Sequence, residues 1–128
     1  MVDEIKAKMQ EEAKQLPLFA VDVTPKQVSP WRPATDAVEV ALFGKALEEL
    51  GELTAIVSRC LIQGVNEREP STGKLNKSAL AEEIADVLAM CEVIMYFNGI
   101  KQSHMDRRIK VKRDNFHKWI GLIVEGER

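Results

Sequence analysis

The sequence predicts an all-α protein, a four-helix bundle carrying an extended N-terminal arm. Apolar residues recur at helical spacing in three long stretches, and Gly64 and Gly99 punctuate them. Aromatics are only 5% of residues, and Leu, Ala, Ile and Val carry the apolar content, a balance that suits helices better than a β-sandwich. At 128 residues there is room for one core and little for a second. The chain therefore divides into an N-terminal helix and arm, residues 1–35, and a helical domain, residues 36–128.

Residues 2–16 place Ile5, Met9, Ala13 and Leu16 at near-helical spacing among many charges, giving a short amphipathic helix with one modest apolar edge. Pro17, Pro25, Pro30 and Pro33 exclude a continuous helix over residues 17–35. Phe19, Val21, Val23, Val28 and Trp31 give this arm apolar anchors that a solvated linker would not need. Asp36 and Glu39 form a capping pair for a long helix that reaches Gln63 and ends at Gly64. One stripe of it runs Val38, Leu42, Glu49, Leu53, Ile56, Cys60, and its neighbour runs Phe43, Leu47, Leu50, Val57, Leu61, so the helix is expected to be central. Ala41, Gly44, Gly51 and Ala55 add a row of small residues that would let another backbone approach. The two glycines cost about 1 kcal/mol each relative to alanine, which asks for such a reason.

Residues 64–76 read as a polar loop, longer than bundle helices usually need. Asn76 or Ser78 can cap the next helix, which runs to about Asn98 and stops at Gly99. Its apolar rows are Leu80, Ile84, Val87, Cys91, Ile94 and Ala79, Met90, Val93, Phe97. Ser103 with Asp106 opens the last helix, where Met105, Ile109, Phe116, Trp119, Ile120 and Ile123 supply a core-facing side. A basic block, Arg107, Arg108, Lys110, Lys112, Arg113 and Lys118, runs along it.

A formal net charge of −2 gives no overall attraction to nucleic acid or to an anionic membrane, so neither is an expected partner. No apolar run approaches a bilayer span, and residues 1–10 lack the apolar centre of a signal peptide, so the expected location is cytoplasmic. Cys60 and Cys91 fall in apolar helical stretches without metal-type spacing and read as reduced core thiols. His104 and His117 read as surface or capping residues.

The informative feature is acidic. Glu49 with Glu52, and Glu83 with Asp86, sit three residues apart on the apolar faces of two separate helices. Residues at that spacing point in nearly the same direction, with Cβ atoms roughly 5–6 Å apart. If the two helices pack antiparallel, four carboxylates face one another and repel unless a cation meets them. Hard oxygen ligands of this kind select magnesium, calcium or manganese over zinc.

These stretches also resemble a known family. Residues 47–53, Leu-Glu-Glu-Leu-Gly-Glu-Leu, match the E-E-x-x-E helix of the MazG-like nucleoside triphosphate pyrophosphohydrolases, and residues 82–88, Glu-Glu-Ile-Ala-Asp-Val-Leu, match their E-x-x-D helix. The resemblance covers roughly residues 36–119. It implies an all-α enzyme that hydrolyses the α–β phosphoanhydride of an NTP or dNTP, releasing a nucleoside monophosphate and pyrophosphate. It further implies that Glu49, Glu52, Glu83 and Asp86 hold Mg2+, with Mn2+ as an alternative, and that Glu49 or Glu52 takes the proton from the attacking water. Such ions neutralise phosphate charge and lower the pKa of bound water.

The resemblance implies a basic residue and an asparagine on the helix after the E-x-x-D motif, receiving phosphate and sugar. Lys112, Asn115 and Trp119 lie on successive turns of one face, with Arg113 and Lys118 as alternates. Lys45, one turn before Glu49, either reaches a phosphate or extends to water. Glu48 and Glu82 read equally as surface ion-pair residues or as supports of the site. The apolar helix surface predicts a homodimer or homotetramer. Competing readings are a phosphoribosyl-ATP pyrophosphohydrolase, which uses similar acidic helices, and a helical interaction module whose acids merely pair with the basic last helix. A redox di-metal bundle is disfavoured, because neither Glu49 nor Glu83 has a histidine three residues on.

Overall fold

The computed structural model describes residues 1–14 and 31–127, with the side chains of residues 12–14 left aside. All regular secondary structure among the described residues is helical: α1 (Val2–Lys14), α2 (Ala37–Gln63), α3 (Asn76–Phe97) and α4 (Gln102–Gly126). The chain divides into two compact units, Met1–Pro33 and Ala34–Arg128. In the first, α1 carries Asp3 and Glu4 in its opening turn, where they favour the helix dipole, and Ile5 and Met9 on its apolar edge are exposed. The arm anchors Phe19, Val21, Val23 and Val28 lie outside the described residues. Trp31 is described, and it is almost fully exposed.

In the second unit the Asp36 carboxylate accepts from the Glu39 amide at 3.0 Å, the capping contact the sequence predicts for α2. Gly64 ends α2 at φ +100° with its amide on the Cys60 carbonyl, and Gly99 follows α3 at φ +63°. Both are backbone positions that favour glycine.

Helix α2 packs on α3, the one helix pair among the described residues of this unit whose backbones run close together. The pair is antiparallel. Asn76 at the start of α3 meets Gly64 at the end of α2, while Asp36, Val38 and Leu42 share a cavity with Phe97 and Asn98 at the opposite end. Two runs of buried or half-buried positions mark the contact: Leu42, Ala46, Glu49, Leu53, Ile56 and Cys60 on α2, and Leu80, Glu83, Val87, Met90 and Ile94 on α3. Both series alternate steps of three and four residues, the seam of two helices crossing at a shallow angle.

Several sequence expectations are corrected. Neither Asn76 nor Ser78 caps α3: its N-cap is Leu75, without a side-chain bond, and Asn76 is fully buried. The last helix starts at Gln102, before Ser103; the Lys101 amide donates to His104 Nδ1 at 3.1 Å, and Asp106 instead accepts from Gln102 at 3.1 Å. Among the described residues only the first apolar stripe of α2 is covered, and there Val38 is exposed; Leu47 is 71% and Leu61 86% exposed. The small-residue row meets no neighbour either, since a Cβ on Gly44 or Gly51 would touch nothing within 4 Å.

Phe116, Trp119, Ile120 and Ile123 of α4 are exposed, and of the expected core side only Met105 is half-buried. Past the turn at residues 98–101, α4 does not pack along α2 or α3, which is why its apolar side stays uncovered. Both thiols are free; Cys60 is half-buried at the seam, whereas Cys91 is exposed and not the core thiol the sequence predicts. Among the described residues no helix is long and apolar enough to cross a membrane.

Candidate metal centre

Two acids occupy seam positions that apolar side chains would otherwise fill. Glu49 follows Ala46 and precedes Leu53 on α2, and Glu83 lies between Leu80 and Val87 on α3. Antiparallel packing carries them toward each other and brings in Asp86, one turn beyond Glu83. One carboxylate oxygen from each of Glu49, Glu83 and Asp86 lies within 4.8 Å of the others. The side chain of Glu49 is only 13% exposed, and Oε2 of Glu83 is buried without a hydrogen-bond partner. An unpartnered buried carboxylate oxygen is costly, and a hard cation is the group that would satisfy it. This donor set, all oxygen and all anionic, suits a hard divalent cation such as magnesium, calcium or manganese.

Glu52, the fourth ligand the sequence predicts, is exposed and stands outside the group of three. Its carboxyl still feels the cluster: repulsion from Glu49, then desolvation and repulsion from Glu83 and Glu48, raise its proton affinity, while Lys45 opposes this. The Lys45 ammonium lies 2.9 Å from Glu48 Oε1 and 3.1 Å from Glu49 Oε1, and the two contacts hold its pKa well above the ordinary lysine range. Glu48 is therefore an ion-pair residue on the helix surface. Glu82 is another, bridged to Lys74 of the connecting loop.

That loop is built around Glu69. Its carboxylate accepts from the Ser71 hydroxyl at 2.7 and 2.6 Å, the Thr72 hydroxyl at 2.7 Å, the Ser71 amide at 3.2 Å and the Thr72 amide at 2.7 Å. These donors pull the Glu69 pKa down to about 2. Arg68 closes the turn onto the Gly73 carbonyl at 2.9 Å, and Arg68 and Leu75 form an isolated antiparallel bridge.

A groove of about 340 Å3 opens beside the acids, lined by Glu49, Asp86, Ala89, Met90 and Val93. In the sequence Met90 and Val93 belong to an apolar row, and Ala89 to none of the rows. Their signal was position: each lies three to seven residues after Asp86, on the helix surface that continues from it.

The α4 candidates form a separate group. Lys112, Arg113, Asn115, Lys118 and Trp119 are all exposed, on a helix that does not pack along the acid-bearing pair. Lys112 lies over the Phe116 ring, 5.8 Å from its centroid. Within one chain the structure thus gathers three of the predicted acids, keeps Lys45 on Glu49 beside them, and leaves the predicted α4 ligands apart.

No known protein family, curated protein or solved structure matches this chain.

Proposed function

We propose that this chain is a magnesium-dependent nucleoside triphosphate pyrophosphohydrolase of the MazG-like kind, cleaving an NTP or dNTP between the α and β phosphates in nucleotide-pool cleansing in the cytoplasm. The observation that carries this reading is the buried, unpartnered Glu83 oxygen inside a cluster with Glu49 and Asp86 at a helix seam. Three carboxylates converge there against the single ammonium of Lys45, an excess of negative charge at a cost to folding that a structural role would not require. A divalent ion held by Glu49, Glu83 and Asp86 would neutralise phosphate charge and acidify a bound water.

The chain's own residues divide the remaining work. Glu52 stands beside the cluster without belonging to it, and this leaves it as the acid free to accept a proton. The groove along Ala89, Met90 and Val93 gives the nucleoside an apolar floor next to the charged end. Lys112 and Asn115, with Arg113, Lys118 and Trp119 around them, receive phosphate and sugar once α4 is brought against an acid-bearing pair.

A homodimer or homotetramer would do this. Val40, Phe43, Leu47, Leu50, Val57 and Leu61, with Thr54 completing the series, step by three and four along α2 on the flank beside the α3 seam, and all are exposed. An uncovered seam of this length supports pairing with another helix.

The deciding experiment offers the purified chain a panel of natural and damaged triphosphates, with and without magnesium, and measures pyrophosphate and nucleoside monophosphate. Magnesium-dependent release of both is expected. Release of orthophosphate, or turnover of phosphoribosyl-ATP alone, would overturn the assignment. Failure to bind any divalent cation would return the acids to an interaction module.

A further inference from the structure

Five carboxylates crowd the centre of the α2–α3 pair: Glu48, Glu49, Glu52, Glu83 and Asp86. Against them, the described residues set one ion-paired cation. Lys45 bridges Glu48 and Glu49 from the preceding turn of α2, at 2.9 and 3.1 Å. Its side chain is 52% exposed and that of Glu49 13%, so the ammonium reaches the half-buried acid from the solvent side. Glu49 is also one of the three carboxylates whose oxygens converge. One side chain therefore serves both the ion pair and the candidate ligand set.

We propose that Lys45 is an exchangeable counter-ion of the acidic site: it occupies Glu49 when no divalent cation is bound, yields it when one is, and turns to the phosphates of the incoming triphosphate. The proposal rests on the metal-site reading above and deepens it. A divalent cation carries twice the charge of an ammonium and approaches oxygen more closely, so it wins the shared carboxylate. Lysine is suited to the exchange, with a compact head, three rotatable donors and a flexible four-carbon stem. Once displaced it remains tethered one turn from Glu49, on the exposed side from which a polyphosphate can enter. The triphosphate then replaces the negative charge that the lysine has left.

The predicted signature is a pair of opposite effects from one substitution. Magnesium alone is titrated calorimetrically into the full chain and into Lys45→Met, Lys45→Arg and Lys110→Met, the last removing a cation paired to Asp114 on α4. A non-hydrolysable α,β-methylene triphosphate is then titrated at saturating magnesium. Lys45→Met is expected to bind magnesium about tenfold more tightly and the analogue about tenfold more weakly, the size expected for one nearby charge at partial exposure. Lys45→Arg should keep analogue binding, and Lys110→Met should change neither. Weaker or unchanged magnesium binding in Lys45→Met, with the wild type binding normally, overturns the exchange and leaves the metal site standing. Absence of magnesium binding in the wild type overturns both.

Discussion

The side-chain amide of Asn76, the first residue of α3, donates to the carbonyl of Gly64, just past the end of α2, at 2.9 Å. Asn76 is fully buried, and its backbone amide bonds the Glu67 carbonyl at 2.9 Å, so one residue ties both ends of the connecting loop together. The loop sets how far α3 slides along α2, and with it whether Glu83 and Asp86 arrive opposite Glu49.

Asn76→Ala leaves the Gly64 carbonyl without this donor and opens a small void. A loss of about 1–3 kcal/mol is expected, read from the urea midpoint at constant m-value. Asn76→Asp should cost more, because it removes the donor and buries a charge. An alanine variant as stable as the wild type would show that the loop is held elsewhere.

Magnesium should stabilise the fold. At about a hundredfold excess over Kd a single bound ligand adds about 2.7 kcal/mol, which in a chain of this size raises Tm by on the order of 10 °C. Glu83→Gln should abolish the magnesium-dependent rise without lowering the metal-free Tm, since it removes one of several mutually repelling charges. Asp86→Asn and Glu52→Gln should abolish pyrophosphate release with an unchanged circular dichroism spectrum. Full activity in Asp86→Asn would contradict the site.

Glu69 gives the connecting loop a defined acid sensitivity. Its folded pKa of about 2 lies below the ordinary 4.5, so its contribution is complete above pH 4.5 and is lost as pH falls from there toward 2. Because the partners of its carboxylate are all on Ser71 and Thr72 of the same loop, the effect should be local to the loop. The Ser71 and Thr72 amides, followed by NMR between pH 5 and 2, should lose their hydrogen-bonded shifts over that window. In Glu69→Gln the pH dependence should vanish.

Leu47 lies in the uncovered α2 seam and is 71% exposed in the single chain. Leu47→Lys should convert an assembled wild type to monomer in sedimentation, at no cost to helix content, since none of the described residues covers that side chain. Pyrophosphate release should fall with assembly if α4 meets the acids across subunits. Unchanged sedimentation would place the interface on another face.

Much of this was legible in residue spacing. Helix periodicity, the Asp36 cap and the stops at Gly64 and Gly99 are local signals, written within one or two turns of chain, and the structure keeps all of them. The i, i+3 pairing of the acids is local too. Which apolar stripe is covered could not be read this way, because α2 is apolar over much of its circumference and one neighbour covers only part of that surface. The apolar side of α4 is equally plain in the spacing and yet exposed.

The sequence by itself determined that four helices form and that their acids lie on apolar faces, because periodicity and caps depend on neighbours a few residues away. Only the tertiary structure decided which acids meet. Antiparallel packing, held at one end by Asn76, brings Glu49, Glu83 and Asp86 together and leaves Glu52 outside. Convergence of side chains 34 to 37 residues apart depends on the relative offset of two helices, and no local pattern encodes that.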